Sequence, residues 1–276
     1  MVATTQTRRM IEVTLAVGLW IALGIALHLS VHTYLLLGIP LVAAFQVGVR
    51  RQPLRALWVR EAPPFRLGSL GWAMATVLAA FPCSRLARNL RAGGNWAQSL
   101  WYLSAMTGAL AAAYALRNFP RAHLHHLWVC VGTTGLIGTI FLVFSIMVPG
   151  VMTFGMGPHQ TLAARASQGL ASLLLIVPVV FLLEEVAFRG AFDAHVYHPG
   201  EGRGVLTAVV VSALWGLWHV PLTLGQRHWW MLVPGLLVVL IALGVPLSLG
   251  WRRSGNLFVP GIAHALIDAV RNAFLI

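Results

Sequence analysis

Apolar stretches long enough to cross a lipid bilayer recur along this 276-residue chain, at 10–29, 33–49, 67–83, 97–116, 127–149, 166–194, 204–223, 230–250 and 257–275. A helical span needs about 20 predominantly apolar residues. Hydrocarbon offers no water to unpaired backbone groups, so helices are the form such stretches take. The spacing predicts an all-α, polytopic transmembrane helical bundle of about eight spans, with no soluble domain of its own. Composition agrees: 58% of the residues are hydrophobic and 9% charged, against about a quarter charged in soluble domains.

All 19 basic residues are Arg, and the formal net charge is +12. Such a balance can mark a nucleic-acid binder. Here the arginines lie in short loops between spans, where positive-inside anchoring explains them and no nucleic acid is expected as a partner. With the N-terminus inside, the inner segments hold Arg8 and Arg9, the group from Arg50 to Arg66, Arg117 and Arg121, Arg189 and Arg203, and Arg252 and Arg253. The segment 84–96, with Arg85, Arg88 and Arg91, falls on the other side; either the third span is misplaced or that piece lies along the interface. The segment 50–66 reads as a basic, proline-containing inner loop or interfacial piece. The basic start has no convincing small-residue cleavage site after it, so an uncleaved first span is expected. Cys83 and Cys130 lack metal or redox spacing and read as packing residues.

Against this background two adjacent carboxylates, Glu184 and Glu185, end the apolar run LASLLLIVPVVFLLEE. An ionised carboxylate at the centre of a span costs at least about 2.5 kcal/mol, and two together repel. The chain has seven acidic residues, so placing two here argues for a task. On a helix Glu185 and Arg189 are four apart, in the order that favours an ion pair, and Asp193 continues the stripe. Glu184 points about 100° away and has no local partner. One Glu is thus structural and the other free to work; the alternative makes both structural. Pro178 should kink this helix just before the pair.

Trp215 and His219 lie four apart in the next apolar run. A histidine inside a span is a functional candidate. Counted from the breaker-rich turn at 198–202, Glu184 stands about 24 Å up its helix and His219 about 28 Å up the following one, at 1.5 Å per residue. In an antiparallel hairpin the two share a level, provided the first helix runs on through residues 188–197. His264 and Asp268 share a face of the last helix, where a carboxylate can orient a ring. Pro260 fits its first turn, which leaves His264 shallower than Glu184 unless the preceding loop re-enters the bundle.

Glu-Glu-x-x-x-Arg, aromatic-x-x-x-His and His-x-x-x-Asp, in that order on successive apolar helices, resemble the CPBP intramembrane proteases, which include the CAAX prenyl endopeptidases and the Abi bacteriocin-processing or immunity proteins. The resemblance covers residues from about 165 to 276. It divides the chain into N-terminal helices and basic inner loops, 1–160, and a motif-bearing protease core, 161–276. It implies that Glu184 is the general base, His219 shares or steers the attacking water, and His264 with Asp268 serves the oxyanion, while Glu185, Arg189 and Trp215 support the site. Trp215 stands where that family usually has Phe. Asp268 stands where Asn is also common; an ionised Asp would repel an oxyanion, so Asp268 either stays neutral and donates or, the favoured role, orients His264.

The residues themselves agree with hydrolysis. A buried Glu suits general base work, and no Ser or Cys sits beside a helical His as a nucleophile would. A zinc ion on Glu184, His219 and His264 is the alternative chemistry, with an open fourth position; no other cofactor is implied. The expected substrate is a hydrophobic or lipidated peptide segment of a membrane-associated protein, a leader peptide or a C-terminal sorting or anchor segment. The expected location is the lipid bilayer of a bacterial cytoplasmic (inner) membrane. The rivals are a membrane transporter, whose relay should spread ionisable groups over both halves of the chain, and a non-catalytic immunity or scaffold protein. The histidines at 123–126 read as a solvated cluster, His28 and His32 as turn residues, and Gly132, Gly135 and Gly138 as a packing face.

Overall fold

The computed structural model describes residues 2–147, 161–224 and 229–275. In chain order the helices are α1 (Val2–Ala26), α2 (Val31–Ala44), α3 (Gly68–Arg91), α4 (Trp96–Arg117), α5 (Leu124–Met147), α6 (Leu162–Val180), α7 (Ala194–Val196), α8 (Gly204–Trp218), α9 (Val220–Thr223), α10 (Trp229–Ser254) and α11 (Phe258–Leu275). A π-helix, Val186–Asp193, precedes α7. Among the described residues eight helices are long and apolar enough to cross a membrane. The chain is an all-α, multi-pass membrane protein, as its apolar periodicity predicts. The expected span 127–149 runs past 147, outside the described residues. α11 falls outside the eight because His264, Asp268, Arg271 and Asn272 lower its hydropathy.

Two expected boundaries move. The third span does not stop at 83: α3 continues to Arg91. Arg85, Arg88 and Arg91 are therefore the closing turns of a long helix, where cations complement the C-terminal dipole. The other change is at the site. The single helix expected over 166–194 is broken: α6 ends at Val180, residues 181–184 form a turn, and the chain resumes as the π-helix. Pro178 withholds an N–H from the helical ladder, and α4 packs directly against the weakened stretch. A Cβ on Gly108 would lie 1.9 Å from the Pro178 carbonyl oxygen, so only glycine permits that approach.

Several of the basic segments expected on the inner side meet neighbouring loops and helix ends. Arg9 meets His198 and Glu201, Arg60 donates to the Trp251 and Arg252 carbonyls, and Arg117 donates to the Leu67 carbonyl. Part of the segment 50–62 is seated in the bundle. Its 3-10 turn Leu54–Leu57 buries Ala56 and Leu57, and Arg50 donates to the Gly190 carbonyl at 2.7 Å. A Cβ on Gly190 would meet the Leu57 carbonyl oxygen at 2.2 Å, so glycine there lets the segment seat against the π-helix.

The N-terminal helices buttress the hairpin that carries the site. Tyr34 donates through Oη to the Trp218 carbonyl at 2.8 Å. Trp20 packs edge-on against Trp218 at 5.2 Å, and Phe188 lies 5.6 Å from the same ring. Such aromatic pairs add about 0.5–1.5 kcal/mol each beyond the area they bury. They fix the end of α8, one residue before His219.

Candidate active site

The helix break presents the two glutamates to different surroundings. Glu185 is fully buried; its Oε1 lies 2.8 Å from His264 Nδ1 and 3.4 Å from Arg189 Nη1. Arg189 is also fully buried. Its guanidinium lies 4.6 Å over the Trp215 ring and its Nη2 donates to the Gly244 carbonyl at 3.2 Å. A permanent cation held by an aromatic face and a carbonyl is what a buried carboxylate requires.

Glu184 stays accessible, with its side chain 18% exposed against 0% for Glu185. Its Oε2 accepts from Trp215 Nε1 at 3.3 Å and lies 3.9 Å from His264 Nε2. His219 Nδ1 lies 2.8 Å from the Trp215 carbonyl oxygen. A carbonyl only accepts, so this nitrogen carries the proton and Nε2 remains for another partner. Both ring nitrogens of His264 face carboxylates, Nδ1 towards Glu185 and Nε2 towards Glu184 and Asp268, the last at 3.5 Å. That setting suits a ring that donates from both nitrogens.

Trp215 is the hub of the arrangement. Its indole N–H serves Glu184, its carbonyl holds His219, and its ring centre lies 5.6 Å from that of His219 and 5.3 Å from that of His264, both edge-on. On sequence alone it has only a supporting role. The signal was present in the four-residue spacing to His219, which puts the Trp215 carbonyl within reach of that ring.

All seven residues singled out in the three motifs, Glu184, Glu185, Arg189, Trp215, His219, His264 and Asp268, converge in one place. Several expected pairings differ. Glu184, without a local partner in its own helix, is faced instead by Trp215 and His264 from other helices. Asp193 leaves the Glu185–Arg189 stripe and forks onto Arg252, at 2.8 and 2.6 Å. The π-helical repeat turns each residue through less than the α-helical 100°, and a bidentate guanidinium pairs better than a single contact. The ring of His264 is held at Nδ1 by Glu185 rather than chiefly by Asp268, which also pairs with Arg271 at 3.1 Å. The apparent depth mismatch of His264 disappears because the loop before α11 is drawn into the bundle: Asn256 is buried and donates to the Ala115 carbonyl.

Among the described residues no group of three or more His, Cys, Asp and Glu side chains is disposed to hold a metal ion, neither Glu184, His219 and His264 nor the histidines at 123–126.

Residues 166–270 match the model of a family described as type II CAAX prenyl endopeptidase Rce1-like. A curated relative, the uncharacterized protein YpbD of Bacillus subtilis (strain 168), is 27% identical over 106 residues, which is 38% of this chain and 46% of the relative. The match thus spans about half the length of that relative. No solved structure matches the chain. The matched segment contains the glutamate pair, Trp215, both site histidines and Asp268, and over residues 166–270 the chain is similar to the CAAX-type membrane proteases.

Proposed function

We propose that this protein is an intramembrane endopeptidase that hydrolyses a peptide bond in a membrane-associated protein or peptide. Glu184 is the general base: it takes a proton from a water that attacks the scissile carbonyl, forming the C–O bond. His219, with Nε2 uncommitted, positions that water. His264 donates to the oxyanion of the tetrahedral intermediate, and Glu185 and Asp268 hold its ring. Collapse breaks the C–N bond, and the proton on Glu184 passes to the leaving amine. The chemistry belongs to the core at 161–276, and the helices of 1–160 support it.

The observation that carries this reading is the split of the glutamate pair. One carboxylate is fully buried on Arg189 and His264, while its neighbour remains accessible and faces Trp215 and His264. A pair kept only for packing has no need of that asymmetry. The substrate is a hydrophobic or lipidated peptide segment, either a leader or a C-terminal sorting or anchor segment, reached within a bacterial cytoplasmic membrane. Arg as the sole basic residue fits a bacterial source.

The test is comparative peptidomics of membrane fractions from cells carrying Glu184→Ala, His219→Ala or no copy of the gene. The same uncleaved precursor should accumulate in all three, with both variants inserted at wild-type abundance. Processing left intact by both substitutions would end the proposal. Chelation of the purified enzyme followed by metal add-back separates the glutamate mechanism, which survives chelation, from a zinc mechanism, which does not.

A further inference from the structure

Segment 54–60 lies outside the family match and carries none of the three motifs, yet it touches two of the three elements that bear the chemistry. Trp58 Nε1 donates to the Phe181 carbonyl at 2.6 Å, inside the turn that breaks the helix three residues before Glu184. The Trp58 carbonyl accepts from Leu257 N at 2.9 Å, on the last residue before α11. The same stretch pairs like a short antiparallel ladder with the loop before α11, through Val59 opposite Asn256 and Arg60 N on the Gly255 carbonyl at 2.8 Å. Leu257 and Phe181 are themselves buried.

Physics gives this contact a purpose. A broken helix in an apolar interior frees carbonyl groups that need donors. The Phe181 carbonyl receives its donor from a side chain rather than from the helical ladder. One residue thereby ties the turn leading into Glu184 and Glu185 to the start of the helix that presents His264 two turns later. Glu185 and His264 meet at 2.8 Å, a separation that neither helix sets by itself.

We infer that Trp58 is a positioning residue of the proposed protease: its indole N–H and main-chain carbonyl clamp the helix break to the start of α11, fixing the glutamate pair relative to His264. This rests on the endopeptidase reading for its consequence in catalysis, but the clamp itself has a readout that needs no substrate.

The experiment uses full-length protein in native membranes and in lipid nanodiscs, comparing wild type, Trp58→Phe and Trp58→His. Trp58→Phe keeps an aromatic ring and loses the donor; Trp58→His keeps a ring donor. Pulse–chase follows the precursor that accumulates in Glu184→Ala cells. Trp58→Phe should slow its conversion about tenfold, a scale set by small displacements at a reacting centre, at unchanged abundance and insertion. Trp58→His should recover to within about threefold of wild type. Hydrogen exchange should quicken in 181–190 and 257–264 of Trp58→Phe and stay as in wild type across α3 and α4.

Wild-type conversion by Trp58→Phe overturns the inference. So does faster exchange spread over the whole bundle, which would make the contact only structural, or exchange unchanged in both segments. If wild type converts no precursor, the endopeptidase reading fails by itself, and the exchange comparison alone decides the clamp.

Discussion

His264 Nδ1 lies 2.8 Å from Glu185 Oε1, so a ring on the last helix is held by the carboxylate next to the one assigned to the chemistry. The two glutamates, adjacent in sequence, therefore divide their work: Glu185 binds Arg189 and His264 in the interior, and Glu184 faces the accessible side.

This division predicts opposite phenotypes for neighbouring substitutions. Glu185→Ala strands the buried Arg189 cation and removes the anchor of His264. Breaking such a buried pair costs about 3–5 kcal/mol. The variant should unfold well below wild type in detergent and fail to accumulate in membranes. Glu184→Ala removes a partly exposed carboxylate and should cost less than about 1.5 kcal/mol, in line with a single hydrogen bond, while abolishing processing. Thermal unfolding followed by tryptophan fluorescence, alongside immunoblots of membrane abundance, separates the two.

Trp215 offers a finer test. Trp215→Phe keeps an aromatic ring under Arg189 and beside both histidines, and the Trp215 carbonyl on His219 is untouched. Only the indole donor to Glu184 is lost. A hydrogen bond to a charged group is worth about 1.5 kcal/mol at the low end, so kcat should fall about tenfold with stability nearly unchanged. Trp215→Ala should instead lose about 3–5 kcal/mol of stability through the cavity it leaves. Equal stability losses for both variants would show that the indole donor has no distinct role.

Much of this was legible in the sequence. The spans follow from apolar runs, and the level shared by Glu184 and His219 follows from counting residues away from one turn. What escaped were pairings between distant positions. Pro178 announces a disturbance, but neither the break at 181–184 nor the close approach of Gly108 to the Pro178 carbonyl can be read from local spacing. Asp193 has Arg189 four residues away and yet pairs with Arg252, 59 residues on, because local spacing rules see only neighbours on one helix. The 54–60 segment has no periodicity to read. Its role arises from carbonyl groups on other elements.

The Asp193–Arg252 fork should be a structural fastener between the π-helix and the end of α10. Arg252 reaches both carboxylate oxygens and also donates to the Gly204 carbonyl at the start of α8. Arg252→Met leaves a fully buried carboxylate unpaired and should cost about 3–5 kcal/mol. Asp193→Asn alone should also destabilise. The double variant should be more stable than the sum of the two losses implies, by a coupling of about 2 kcal/mol. Additive losses in thermal unfolding would show that the two side chains act independently.

The loop at 197–203 predicts a pH dependence separate from catalysis. Arg9 Nη2 donates to Glu201 Oε1 and its Nη1 lies 2.7 Å from His198 Nδ1, while His198 N donates to Glu201 Oε2 at 3.1 Å and Gln6 holds the Gly202 carbonyl. Burial pushes the Glu201 carboxyl up, but the bonds from Arg9 and His198 N outweigh it and hold the group below the ordinary glutamate range. A carboxylate with a depressed folded pKa stabilises fully above its unfolded value, and that contribution disappears as pH falls through the folded value. Burial and the Arg9 cation hold the His198 ring below the ordinary histidine range, so its neutral form favours the clasp and protonation weakens it first. Hydrogen exchange of 197–203, corrected for intrinsic pH effects, should therefore accelerate in two steps between about pH 7 and about pH 3. His198→Asn should remove the upper step and Glu201→Gln the lower. A single step that persists in both variants would place the titrating group elsewhere.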